Sequence, residues 1–341
     1  MKRVFIVAVI AVILIISGCG SSDVRDSSEP VSLNLAEQAE ESGLDESQSD
    51  EIKFGYDTES ENMDVYLYNG ETINVPFQLE VGKATGHDVG FLVFIGGVVQ
   101  HYSVQYADGS VSEEGIMQRF ELSEEGKQTF SFLVNPSVGK KGDKLGIYVC
   151  GIIYPSFRPD DVEQPSYQYF GSLSQVVPQQ VKFETDSENN GIQFTESENG
   201  LELTDEIINS IKMFSSKETE ETLKDNLYVR LYQKSEGEPL IESDNGKITL
   251  HLQLYGGVEG IYNTTIFINH EPVAIDGMDC IRSQMKANKM SECEITLDIS
   301  DYGHLNTIYA ITVPADDAYL NFYPVEKTTS RLLVNKLKQE G

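Results

Sequence analysis

From residue 51 onward, apolar and polar side chains alternate along the chain with a period of two. Ile73, Val75, Phe77, Leu79 and Val81 fall on one side of such a run and Asn74, Pro76, Gln78 and Glu80 on the other, the pattern of a strand with one face in a core. Pro76 lacks the N–H that a central ladder position needs, which predicts an edge strand or a proline whose nitrogen faces outward. Further strands are predicted over 65–68, 90–95, 101–106, 117–122, 129–134 and 145–154. Gly96-Gly97, Asp108-Gly109, Glu125-Gly126 and Lys141-Gly142 separate them, where glycine adopts a positive φ cheaply. So many short strands with no helical run between them predict a two-sheet sandwich over 51–183.

A second set of alternating segments predicts strands over 227–232, 248–255, 264–268, 273–275, 293–299 and 307–313. Local wording repeats as well. Phe91-Leu-Val-Phe94-Ile95-Gly96 is echoed by Thr264-Thr-Ile-Phe267-Ile268-Asn269, and Gly146-Ile-Tyr148-Val-Cys150 by Thr307-Ile-Tyr309-Ala-Ile311. Two diverged copies of one sandwich follow, the second over 227–325, with immunoglobulin-like architecture as the expectation. Between them, 184–226 reads as an acidic linker in which Ile207, Ile208, Ile211 and Phe214 recur at helical spacing. Thr204 is placed to cap a short helix there, with Asp205 and Glu206 in its first turn, although β-branched isoleucines also suit an initial strand. Residues 326–341 bring Lys and Arg together with Leu332, Leu333 and Leu337, the composition of a terminal helix or a frayed tail.

The start of the chain is different. Lys2 and Arg3 precede an apolar run from Val4 to Ile16, which is shorter than the roughly 20 residues a bilayer-spanning helix needs. Ser17, Gly18, Cys19 and Gly20 follow it. The basic start, the apolar run and the Ile-Ser-Gly-Cys ending together resemble the lipobox of bacterial lipoprotein precursors. The resemblance implies a signal peptide over 1–18, cleavage before Cys19, and a diacylglycerol thioether on Cys19 that inserts into membrane lipid. Its two acyl chains, or three if the new N-terminus is acylated as well, hold where one chain alone gives only marginal binding. The expected location is the extracellular face of a bacterial membrane. Gly20 stands where an Asp would resemble an inner-membrane retention signal, and a Gram-positive cell is the preferred host.

Residues 19–50 read as a disordered acidic tether. From Gly20 to Asp50 there are nine acids, one base and no aromatic residue, too little apolar area to offset the entropy of ordering. The full chain of 341 residues holds 25 Lys+Arg against 55 Asp+Glu, a net charge of −30, so nucleic acid is not an expected partner.

Candidate chemistry is sparse. With Cys19 lipidated, Cys150, Cys280 and Cys293 remain, and a Cys280–Cys293 disulfide would close a short loop worth about 3 kcal/mol. Three reduced, buried thiols are the alternative. The five histidines are scattered singly, and His87-Asp88 and His270-Glu271 read as solvated polar neighbours near strand ends, whose side chains point apart. No HExxH, CxxC, Gly-x-Ser-x-Gly or phosphate-loop pattern occurs. Asp160-Asp161 and Asp316-Asp317 follow matching strands in the two halves and are candidate weak calcium ligands, the one cofactor the sequence suggests. Tyr154, Phe157, Tyr167, Tyr169 and Phe170 cluster with three prolines in a long connection, where tyrosines give contact area at small entropic cost to a protein or peptide partner. The expected role is a lipid-anchored, non-enzymatic binding or assembly module. The alternatives are a structural spacer or adhesion stalk, and an exported hydrolase with a site the sequence does not reveal.

Overall fold

A computed structural model of the chain describes residues 31–34, 51–57, 65–83, 86–159, 162, 173–176, 178–188, 191–214, 219–233, 240–316 and 325–338. The first half holds β1 (Val31–Asn34), β2 (Glu51–Tyr56), β3 (Val65–Tyr68), β4 (Ile73–Lys83), β5 (Asp88–Ile95), β6 (Val98–Val99), β7 (Tyr102–Tyr106), β8 (Met117–Glu121), β9 (Gly126–Val134), β10 (Lys144–Ile153), β11 (Leu173–Gln175) and β12 (Gln179–Phe183). Then come β13 (Phe194–Glu196), β14 (Glu198–Glu202), α1 (Asp205–Phe214) and α2 (Thr219–Asp225). The second half continues with β15 (Leu227–Tyr232), β16 (Leu240–Glu242), β17 (Lys247–Gly256), β18 (Gly260–Ile268), β19 (Glu271–Pro272), β20 (Cys280–Met285), β21 (Lys289–Asp298), β22 (Leu305–Pro314), β23 (Glu326–Lys327) and β24 (Arg331–Val334). None of the described helices is long and apolar enough to cross a membrane.

The strands form four sheets. One runs β1-β2-β4-β9-β7 and faces a second, β3-β12-β10-β5-β6, to which β11 and β8 are attached. Phe54, Phe77, Phe91, Phe130 and Phe132 fill the space between them, with ring centres 5 to 6.4 Å apart. The third sheet, β13-β20-β18-β22-β24-β16 with β19 and β23, faces the fourth, β14-β21-β17-β15. Their shared core is aliphatic, built on Leu250, Leu252, Ile266, Ile295 and Ile308. The architecture is therefore all-β, two sandwich-like bodies in succession.

Strands β5, β10 and β22 read as nearly continuous apolar runs because both of their faces are covered. Phe91, Val93 and Val149 point into the first core, while Leu92, Phe94, Tyr148, Cys150 and Ile152 point the other way. That outer face shares one buried cluster with Phe267, Tyr309, Ile311, Val313 and Val325 of the second body. The two bodies thus meet broad face to broad face along an apolar seam. The repeated wording in the sequence lies there: Phe94 is in register with Tyr148, and Phe267 with Tyr309. Equivalent aromatic pairs on equivalent strands form both sides of the seam. Asn263 Nδ2 donates to Gly96 O at 3.0 Å across it.

Several expectations need correction. Strand β4 is central, flanked by β2 and β9. Pro76 is tolerated because its carbonyl already accepts from Asp57 N, at the point where β2 ends, so its nitrogen faces a side with no further ladder to serve. The tether is not wholly unstructured, since β1 pairs antiparallel with the outer edge of β2 and satisfies backbone groups that an edge would otherwise expose. The linker boundary moves as well: β13 and β14 belong to the third and fourth sheets, so the second body begins near residue 193 and not at 227. The helix over 203–214 is present as α1, with the Thr204 hydroxyl accepting from Ile207 N at 3.3 Å. Ile207 and Ile211 pack against Leu223, Tyr255 and Met290. Within the described part of the tail, the leucine pair is strand and not α-helix: β24 inserts between β22 and β16 and buries Leu332, Leu333 and Val334, and a single 3-10 turn follows at Lys336–Lys338.

Candidate functional site

The rim of the seam gathers interacting polar groups from both bodies. Tyr154 directly follows β10, and with φ of 49° it turns the chain outward. The turn is closed by Phe157 N donating to Tyr154 O at 3.1 Å, and the Asp88 carboxylate accepts the Ser156 hydroxyl at 2.5 Å. This places Arg158 over the second body. Its Nη1 donates to Pro155 O at 2.7 Å and Phe157 O at 2.8 Å, and its Nη2 to Asn269 O at 3.4 Å.

Opposite stands His270, only 3 % exposed, its Nδ1 2.8 Å from the Tyr309 hydroxyl and its ring also bonded to the Pro155 backbone. Burial, then the charges of Arg158, Lys327 and Arg119, pull its pKa down to about 3, so the imidazole is neutral. Lys327 Nζ sits 4.4 Å from the centre of the Tyr309 ring and donates to Thr328 O and the Ser330 hydroxyl. Burial pulls the Lys327 amine down to about 7. Its neighbour Glu326 points to the opposite face of the sheet, in register with Thr312, and burial pushes its carboxyl up to about 7. His270 is therefore not a solvated group at a strand end, as its sequence context suggests: the turn after β18 folds it under the first body.

A groove of about 370 Å³ lies on the second body and is lined by Glu196, Glu198, His251, Glu292, Cys293 and Glu294. His251 Nδ1 is 3.8 Å from Glu292 Oε1, and Tyr232 stacks on His251. Burial, then the charge of Glu294, pushes the Cys293 thiol up, away from the thiolate form a nucleophile needs. Among the described residues, no group of three or more His, Cys, Asp and Glu is arranged to hold a metal.

Of the five aromatic residues singled out as a partner patch, Tyr154 and Phe157 are half-buried and engaged within the molecule. Tyr154 stacks on His87 with centres 4.4 Å apart, and Phe157 packs against Leu332 and Val334 of the second body. Tyr167, Tyr169 and Phe170 lie outside the described residues, as do Cys19, Asp160, Asp161 and Asp317. The Asp316 carboxylate accepts the Ile261 N–H at 2.8 Å and ties the loop to β18. Of the two possibilities for the cysteines the structure has the second: there is no Cys280–Cys293 bridge, and Cys150, Cys280 and Cys293 are free, buried thiols. Alternation explains it: Cys293 points between the third and fourth sheets with Ile295 and Leu297, whereas Cys280 shares the outer face of β20 with Arg282, away from core residues Ile281 and Met285. Burial pushes the Cys280 thiol up to about 12. The residues sequence reasoning missed are Arg119, Arg158, His270 and Lys327, which lie far apart along the chain. Their one signal is the Phe/Tyr echo that marks the strands beside them.

No model of a known protein family matches the chain, and no curated protein does. Among solved structures, similarity is found to the complex of the chaperone CsuC with the tip-adhesion subunit CsuE from archaic chaperone-usher pili of Acinetobacter baumannii, 11 % identical, covering 80 % of this chain and 94 % of that one at a TM-score of 0.19. The Salmonella enterica pilin SafA with its chaperone SafB is 9 % identical, covering 83 % and 95 %, at 0.20. The CBD12 fragment of CALX1.2 is 10 % identical, covering 79 % and 96 %, also at 0.20. At TM-scores near 0.2, none of these likenesses assigns the chain to a family or lends it a function.

Proposed function

We propose that the chain is a lipid-anchored extracellular module of two immunoglobulin-like sandwiches that binds or assembles with another protein. The observation that carries this reading is strand β3. It is the outer strand of its sheet, paired only with β12 among the described residues, and it turns Val65 and Leu67, 41 % and 57 % exposed, towards solvent. An edge of this kind without a proline, a lysine or a bulge is a template for an extended segment of a partner, whose backbone would complete the ladder. The tyrosine-rich connection with Tyr167, Tyr169 and Phe170 supplies aromatic anchors in the same proposal. The lipobox-like start supports attachment through Cys19. A Gram-positive surface remains the preferred setting.

Affinity capture from the host surface with the purified chain tests this, comparing wild type with Leu67→Lys and with Tyr167→Ala/Tyr169→Ala. Loss of one identified protein with thermal stability retained supports the reading; equal capture by all three rejects both surfaces. Cys19→Ala should release the protein from the membrane fraction, and retention there would reject the anchor. A spacer role is favoured by one observation, the apolar seam that joins the two bodies. It predicts a phenotype that depends on tether length and survives the Leu67 and tyrosine substitutions.

A further inference from the structure

We propose that the rim of the seam binds an oxyanion, a phosphate or a carboxylate, held between Arg119 and Arg158 with Lys327 beside them. Arg119 lies on β8 opposite Gly90, on the same face as Met117, which packs into the seam cluster. That face is turned towards the second body. Arg158 reaches the same place from the turn after β10, where it bonds Asn269 O. Lys327 is in register with Ile311, whose side chain is in the seam, and hangs its amine over the Tyr309 ring. The charge of Arg119 bears on Arg158, and both bear on Tyr309 and His270.

Among the described residues, the carboxylates that exert a charge on this cluster are Asp88 and Glu271. Asp88 is almost buried and its Oδ1 is held by both the hydroxyl and the N–H of Ser156. In a chain with 55 acids and 25 bases, two guanidiniums brought within mutual influence are an unfavourable arrangement that a bound anion reverses. The donors are suited to it. Arg158 donates to Pro155 O, Phe157 O and Asn269 O through its two Nη groups, three of the five N–H groups a guanidinium carries, and Nε–H is not among them. Guanidinium forks match the geometry of phosphate and carboxylate oxygens, and each such bond is charge-assisted.

Calorimetric titration of the purified full chain with sodium phosphate tests the site, in wild type, Arg119→Gln, Arg119→Lys and Asp160→Asn/Asp161→Asn/Asp317→Asn. Saturable one-site binding is expected, weakened about tenfold in Arg119→Gln and less in Arg119→Lys, which keeps the charge but loses the fork. The triple asparagine variant should bind as wild type does. Melting in phosphate-free buffer checks that each variant is folded, and if Arg119→Gln is not, Arg119→Lys carries the comparison. No saturable binding, or equal affinity in both Arg119 variants, overturns the proposal. So does binding that appears only in the triple variant, which would mean that the chain's own carboxylates occupy the cluster.

Discussion

The Tyr309 hydroxyl and His270 Nδ1 stand 2.8 Å apart, both buried, where the second sandwich meets the Pro155 turn of the first. The ring also bonds the Pro155 backbone, and since proline has only a carbonyl to offer, the imidazole must be the donor there. A neutral ring satisfies both neighbours: one nitrogen gives its proton to Pro155 O, and the other accepts the Tyr309 O–H. A protonated ring has no acceptor left for that hydroxyl and stands among Arg158, Lys327 and Arg119.

This arrangement makes the seam sensitive to acid. The His270 pKa is about 3 in the folded chain against an ordinary value of 6.5, so between those pH values the unfolded chain binds the extra proton. Its contribution is complete above pH 6.5 and is lost as pH falls towards 3, by about 1.4 kcal/mol per unit. His270→Gln does not titrate. The difference in melting temperature between wild type and His270→Gln should be constant above pH 6.5 and shrink progressively below it. A constant difference down to pH 4 would show that His270 is not held neutral.

Glu326 and Lys327 should leave opposite marks. The Glu326 carboxyl is raised from 4.5 to about 7, so the folded chain is the better proton binder in that window and stability falls as pH rises through it. Glu326→Gln should therefore raise the melting temperature above pH 7 and lose that gain near pH 4.5. The Lys327 amine is lowered from 10.5 to about 7, and the unfolded chain binds more protons in that window. Lys327→Met should be stabilising below pH 7 and fade towards pH 10.5. Melting curves of the two variants at pH 4.5, 7 and 10 separate the cases, and parallel profiles would contradict both assignments.

The period-two runs were sufficient to place most strands, because each sandwich has one wet face on sheets one and four. They were insufficient for the seam. Phe94 and Tyr148 alternate with inward residues as any strand side chain would, and nothing local says that their outward face is covered by Phe267 and Tyr309. The doubled apolar content of β5 and β10 is that information, legible only once a second body is known to lie there. The polar strands β13 and β14 failed the opposite test: they are edge strands with half-exposed residues, so their sequence carries no apolar alternation. Strand β24 is short, begins with Arg331 and buries Leu332 and Leu333 on both faces, which imitates a helical leucine pair.

Gly97 tests the seam itself. Its φ is +75°, and an added Cβ would stand 2.9 Å from Val313 O and 3.1 Å from Asn263 Cβ, backbone and side chain of the other body. Gly109 has φ of +83° and nothing within 4 Å, so Gly109→Ala measures the conformational strain alone. Gly97→Ala should lower the melting temperature more than Gly109→Ala, and X-ray scattering should show a larger radius of gyration only for the former. Equal effects would mean that the two bodies are not pressed together at this point.

Tyr102 is the corresponding test inside the first sandwich. Its ring is fully buried against Phe132, with centres 5.1 Å apart, and its hydroxyl donates to Phe91 O at 2.5 Å while accepting Gln118 N–H at 3.1 Å. That one oxygen joins β7 of the first sheet to β5 and β8 of the second, across the core rather than around it. Burial pushes its pKa well above the ordinary tyrosine value, so it remains a donor at any pH the fold survives. Tyr102→Phe keeps the ring and its packing but leaves a buried carbonyl and a partly buried N–H without this partner, a loss of about 1–3 kcal/mol. Chemical denaturation should show a lower midpoint with an unchanged slope, because the area exposed on unfolding is the same. An unchanged midpoint would show that both backbone groups find other partners and that the two sheets are held by apolar contact alone.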